Sequence, residues 1–84
     1  MSYSTVSQFR LQVLADADPS AIARVLERFQ NINVVPRRVI AEFGVDGSIR
    51  VQVDVCGMPE EQIEMVTAKI VQATCVVSAH WHRL

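Results

Sequence analysis

Glycine, proline and cysteine are all scarce in this chain, with three, three and two respectively among 84 residues. So few glycines leave no run rich enough to wrap a phosphate in backbone amides. Two cysteines, Cys56 and Cys75, lie 19 positions apart inside apolar runs. That spacing matches neither a paired-cysteine metal motif nor a dense disulfide framework, so both are expected to pack as free thiols. Aromatics make up 6% of the residues and a single tryptophan is present. No apolar run reaches the roughly 18 residues of a membrane-spanning helix. The opening MSYSTVSQF lacks a basic start followed by an apolar core, and a cytoplasmic location without membrane attachment is expected. Eight Lys and Arg against nine Asp and Glu give a formal net charge of −1. A balance so close to neutral gathers neither a nucleic-acid backbone nor an anionic lipid surface by long-range attraction, so neither is expected as a partner.

What the chain has in quantity is apolar surface, at 50% of its residues. A chain this short buries only about 60–65% of its unfolded surface in one compact domain, so association with a second copy is expected on stability grounds alone. One domain over residues 1–84 is expected, with residues 1–7 as a flexible start and no internal linker or low-complexity segment.

The patterning is regular. Phe9, Leu11, Val13 and Ala15 alternate with Arg10, Gln12, Leu14 and Asp16, which predicts a half-buried strand. In the following ADADPS, Asp18 stands before Pro19, a residue suited to the first helical position, so Asp18 is expected to cap a helix. Ile22, Val25, Leu26 and Phe29 recur on one helical face, with Arg24, Glu27 and Arg28 directed to water. Asn31 and Asn33 tolerate left-handed backbone and can end this helix without a glycine.

Residues Val34 to Phe43 read as a second strand, and Pro36 within it points to a sheet edge. Asp46-Gly47 is a tight-turn signal leading to a third strand in which Ile49, Val51, Val53 and Val55 face inward. Pro59, Glu60 and Glu61 open a second helix whose buried stripe is Ile63, Val66 and Ile70. Cys75, Val77, Ala79 and Trp81 then alternate with Val76, Ser78, His80 and His82 in a fourth strand. Met58 and Met65 are expected to fill gaps in the core. The order strand, helix, strand, strand, helix, strand predicts an α+β fold of the ferredoxin-like kind. It would be a four-stranded antiparallel sheet with two helices on one face. Phe9, Val25, Val53 and Ile63 should then share one interior.

Several activities hosted by this arrangement need residues that are missing. The first loop has no cysteine pair for a soft metal ion. The outward positions Arg10, Gln12, Leu14, Arg50, Gln52 and Asp54 contain no aromatic for stacking RNA bases. Asp16 and Asp18 set carboxylates where an acyl-phosphate hydrolase would need a glycine-rich anion cradle. No serine or cysteine has an evident neighbouring base, so no catalytic site is expected, and no cofactor. His80 and His82 share one strand face without a third ligand in view, which reads as a solvated strand rather than a metal site.

The run from Phe9 to Val39, with its acidic turn, Pro19-Ser20-Ala21-Ile22 and Arg24-Val25-Leu26, resembles the ACT domain. It is most similar to the short, single-domain regulatory subunits of acetolactate synthase. The resemblance implies a non-catalytic domain that pairs side by side as a homodimer. It would bind a small amino acid where the first loop of one copy meets the second strand of another, and regulate the catalytic subunit of an amino-acid biosynthetic enzyme. The positions it assigns to ligand binding are Asp18, Ser20, Ala21 and Ile22 in the loop and Asn33, Val34 and Val35 near the second strand. Pro36, Arg38 and Ile40 are expected at the interface between copies. Ser20 stands where ligand-responsive members carry a glycine, and Val35 falls on a polar asparagine of the family. These departures frame the alternative, an oligomerisation or interaction module that has lost its ligand.

Overall fold

The computed structural model describes residues 7–84; most of the expected flexible start therefore lies outside the described residues. The elements run β1 (Gln8–Asp16), α1 (Ala21–Gln30), β2 (Arg38–Phe43), β3 (Ser48–Cys56), α2 (Glu60–Val71) and β4 (Val76–Arg83). The four strands form one sheet in the order β2-β3-β1-β4, with every neighbouring pair antiparallel. This is the ferredoxin-like α+β arrangement that the alternation of periods predicts.

Strand alternation decides which side becomes the interior. Phe9, Leu11, Val13 and Ala15 of β1 and Ile49, Val51, Val53 and Val55 of β3 point to the same side and are buried. Ala21, Val25 and Phe29 of α1 and Ile63, Val66 and Ile70 of α2 close over them in one cluster. Phe9, Val25, Val53 and Ile63 are all at 0% exposure within it. Thr67 is accommodated in this apolar layer because its hydroxyl donates to the Ile63 carbonyl at 2.7 Å. Trp81 sits edge-on to Phe9, with ring centroids 5.3 Å apart, and the Arg83 guanidinium lies over the Phe9 ring at 5.0 Å. Both cysteines are free, Cys75 buried and Cys56 half-buried. No helix among the described residues is long and apolar enough to cross a membrane.

Four local expectations are corrected. First, α1 begins at Ala21 with Ser20 as its N-cap residue, two positions later than an Asp18 cap would place it. The Asp18-Pro19-Ser20 segment forms its own turn, in which the Ala21 amide donates to the Asp18 carbonyl. Second, residues 34–37 are not strand; β2 starts at Arg38, so Pro36 precedes the edge strand rather than lying in it. Third, the alternation of β4 breaks. Ser78 pairs with Leu14 but Val76 with Ala15, so Val77 is the extra residue of a bulge, 60% exposed, and Val76 packs on the core instead. Fourth, Met58 is buried as expected but Met65 is 56% exposed, lining a groove between α2 and the end of α1. Of the two asparagines after α1, Asn33 adopts the left-handed backbone, at φ 59°, while Asn31 stays helical.

Candidate functional site

The elbow between β1 and α1 is held from several sides. The Asp16 amide donates to the Cys75 carbonyl at 2.8 Å and the Ala17 amide to the Gly47 carbonyl at 3.1 Å, tying the elbow to β4 and to the β2–β3 turn. The Asp18 Oδ1 accepts from the Ser20 amide at 2.8 Å and the Ser20 hydroxyl at 2.6 Å. Arg24 Nε donates to the same hydroxyl at 3.3 Å. Hydrogen bonds from Ser20 hold the Asp18 carboxyl below the ordinary carboxylate range, with a smaller contribution from the Arg24 charge.

These contacts divide the predicted ligand positions. The Ser20 amide is taken by Asp18 and the Ala21 amide by the Asp18 carbonyl. Among the described residues the Ile22 and Ala23 amides have no partner, so they are the open donors at the positive end of α1. Among the described residues one oxygen of the Asp18 carboxylate is engaged, leaving the other as an acceptor.

Asn33, Val34 and Val35 lie at the other end of α1. A ten-residue helix is about 15 Å long, so one protomer does not bring the two groups together. With Leu26, Gln30, Pro36 and Val39 they line a depression of about 410 Å³ whose walls are mainly apolar. Left-handed Asn33 creates it, because the reversal lets the Val34 amide return to the Phe29 carbonyl at 3.0 Å and swings Val35 outward, 86% exposed.

The edge strand β2 carries the expected interface residues. Arg38 and Ile40 lie on the open face of the sheet, opposite Asp54 and Gln52 of β3. Val39, Ala41 and Phe43 lie on the helix side, yet the helices leave them largely uncovered, with Val39 at 40% and Phe43 at 76% exposure. Sequence alternation identified the side of the sheet but not this lack of cover. A six-residue strand at the margin offered no signal of how far the helices reach across.

His80 and His82 are exposed on the open face, opposite Gln12 and Arg10. No group of three or more metal-binding side chains occurs among the described residues.

The family model of the ACT-like domain matches residues 2–84. No curated protein sequence matches the chain. Among solved structures, the C-terminal domain of the MgtC protein from Mycobacterium tuberculosis superposes with a TM-score of 0.78 at 15% identity, covering 100% of this chain and 94% of that one. The ACT domain from the GTP pyrophosphokinase of Chlorobium tepidum gives 0.76 at 10% identity over 95% and 100% of the two chains. A homoserine dehydrogenase from Thiobacillus denitrificans gives 0.75 at 13% identity, covering 96% of this chain but 18% of that one. At such identities the likeness is one of fold.

Proposed function

The chain belongs to the ACT-like domain family, and on that premise we propose that it is a non-catalytic regulatory domain. Two copies pair along β2, and a small amino acid binds where the elbow of one meets the β2 entrance of the other. The observation that carries this reading is the separation of the two half-sites by the full length of α1, which only a second molecule can remedy. The uncovered inner side of β2 supplies apolar area for that pairing, at Val39 and Phe43.

The chemistry of the half-sites suits a zwitterion. A carboxylate is received by the open Ile22 and Ala23 amides at the positive end of α1. An ammonium group is received by the free oxygen of Asp18 and by the Asn33 side chain of the other copy. An apolar side chain occupies the depression lined by Val34, Val35 and Val39. By its resemblance to short regulatory subunits, the domain acts on the catalytic chain of an amino-acid biosynthetic enzyme of the acetolactate synthase kind. Ligand binding would bias that enzyme through a coupling of about 1–3 kcal/mol.

Thermal unfolding and calorimetry against the twenty amino acids test the reading. A rise in melting temperature with one small amino acid supports it, because only a ligand bound to the native state stabilises. A stable dimer with no response to any of them identifies instead an oligomerisation module, the reading favoured by the occupied Ser20 amide.

A further inference from the structure

On the open face of the sheet, opposite the helices, the charges of β2 and β3 reverse sign about the middle row. Nine consecutive pairs join β1 to β3, and the central one is Gln12 with Gln52. Register extends this row to Ile40 of β2 and His80 of β4. Two residues toward one end lies a row of Arg38, Asp54, Arg10 and His82. Two residues toward the other end lies a row of Glu42, Arg50, Leu14 and Ser78.

A twofold axis laid along the middle row turns one sheet over onto another, bringing the first outer row of each copy against the second outer row of its mate. Arg38 then meets Glu42 of the other copy, and Asp54 meets Arg50. The neutral middle row, Ile40, Gln52, Gln12 and His80, meets itself. We propose that this face is a second self-association surface, on which a further copy of the chain packs sheet to sheet about that axis.

Three features favour this occupant. The first is the pairing state of the charges. Glu42 and Arg50 are direct cross-strand neighbours, yet among the described residues neither they nor Arg38 forms an ion pair within the chain. Of the charged side chains described on this face, only Arg10 and Asp54 form one. The second is neutrality. Arg10, Arg38 and Arg50 balance Asp16, Glu42 and Asp54, and the face carries no Phe, Tyr or Trp side chain. It therefore suits neither a phosphate backbone nor stacked bases.

The third is size. Strand rise and spacing give the face a projected area of about 500 Å² per copy, so two copies reach the roughly 1,000 Å² that a specific interface requires. Twisted sheets pack with their strands about 30° apart, which moves the corner pairs off register. Arginine and glutamate are long enough to follow. The twist also dishes the centre into a depression of about 480 Å³, which the long side chains of a facing copy fill. Packing on this face is compatible with pairing along β2, and the two together build an assembly of four copies.

Charge exchange tests the proposal, with molar mass read by light scattering and sedimentation. Glu42→Arg and Arg38→Glu each set like charges across the axis and should weaken the face contact at least about tenfold, halving the mass. Combining them restores opposite charges across the axis and should restore the mass. Within one sheet the same pair of changes sets an introduced arginine opposite Arg50 and an introduced glutamate opposite Asp54. Recovery therefore cannot come from a repaired monomer, and circular dichroism controls for folding. Phe43→Asp removes the β2 pairing separately and should leave the response to the face charges intact. An assembly unchanged by either single exchange, a double exchange that fails to recover, or a wild-type chain monomeric well above micromolar concentration overturns the proposal.

Discussion

Arg10 and Asp54 face each other directly across the two central strands, with Nε 2.9 Å from Oδ1 and Nη2 3.1 Å from Oδ2. The pairing is two-pronged and partly shielded, which fixes the guanidinium in plane with the carboxylate. The hydrogen bonds from Arg10 hold the Asp54 carboxyl below the ordinary range. Partial burial opposes them, and the Arg10, Arg38 and His82 charges reinforce them. A depressed folded value means the stabilisation is present above the ordinary titration of an aspartate and is lost as pH falls through the folded value. Asp54→Asn should therefore lower the melting temperature at neutral pH, with the gap to wild type narrowing below about pH 4. Parallel melts across an acid series measure it.

The core admits a sharper prediction. Phe9 is fully buried between Trp81 and Arg83. Replacing a buried phenylalanine by alanine costs about 3–5 kcal/mol. A domain of this length has about 4–13 kcal/mol in total. Phe9→Ala should leave the chain largely unfolded on warming, read from the fluorescence of Trp81, the single tryptophan.

In the β2–β3 turn two glycines are required for different reasons. Gly47 has φ 82° with open space around it, so Gly47→Ala should cost about 1–2 kcal/mol from backbone strain alone. A Cβ on Gly44 would stand 2.7 Å from Asp46 Oδ1 and 2.8 Å from Ser48 Oγ. Gly44→Ala should push apart the Asp46–Ser48 hydrogen bond that depresses the Asp46 carboxyl. Denaturant unfolding of both variants, with and without Ser48→Ala, separates the causes. Only the Gly44 effect should shrink in the Ser48→Ala background.

At the edge strand, Val39→Asp and Phe43→Asp alter side chains that the monomer leaves largely exposed. Secondary structure should be preserved while pairing along β2 is lost. Sedimentation at matched concentrations gives the mass, and circular dichroism the fold.

The elbow makes a prediction about its own geometry. Ser20→Ala removes the hydroxyl that donates to Asp18 and accepts from Arg24. The Asp18 carboxyl should titrate higher in this variant, nearer its ordinary range. Carbon-detected NMR titration of the carboxyl signal reads the change directly.

Much of this was legible along the chain. Alternation at Phe9 to Ala15 and Ile49 to Val55 marked both central strands and their buried sides, and Asn33 announced the helix end that needs no glycine. The bulge at Val77 was not legible, because Val76 and Val77 are chemically identical and their choice depends on pairing with Ala15 and Leu14. The Asp18 cap misled for a related reason. Asp18-Pro19 carries a strong cap signature, but the bonds tying Asp16 and Ala17 to Cys75 and Gly47 set where the helix can begin.

The sequence by itself determined the order of elements and the side of each that turns inward, because periods of two and of 3.6 are local properties of the backbone. Tertiary structure alone decided that the helices stop short of β2 and that Arg38 and Glu42 stand two residues either side of the Gln12–Gln52 row. These are outcomes of strand pairing and sheet twist, which join residues far apart in the chain and leave no trace in any short stretch of it.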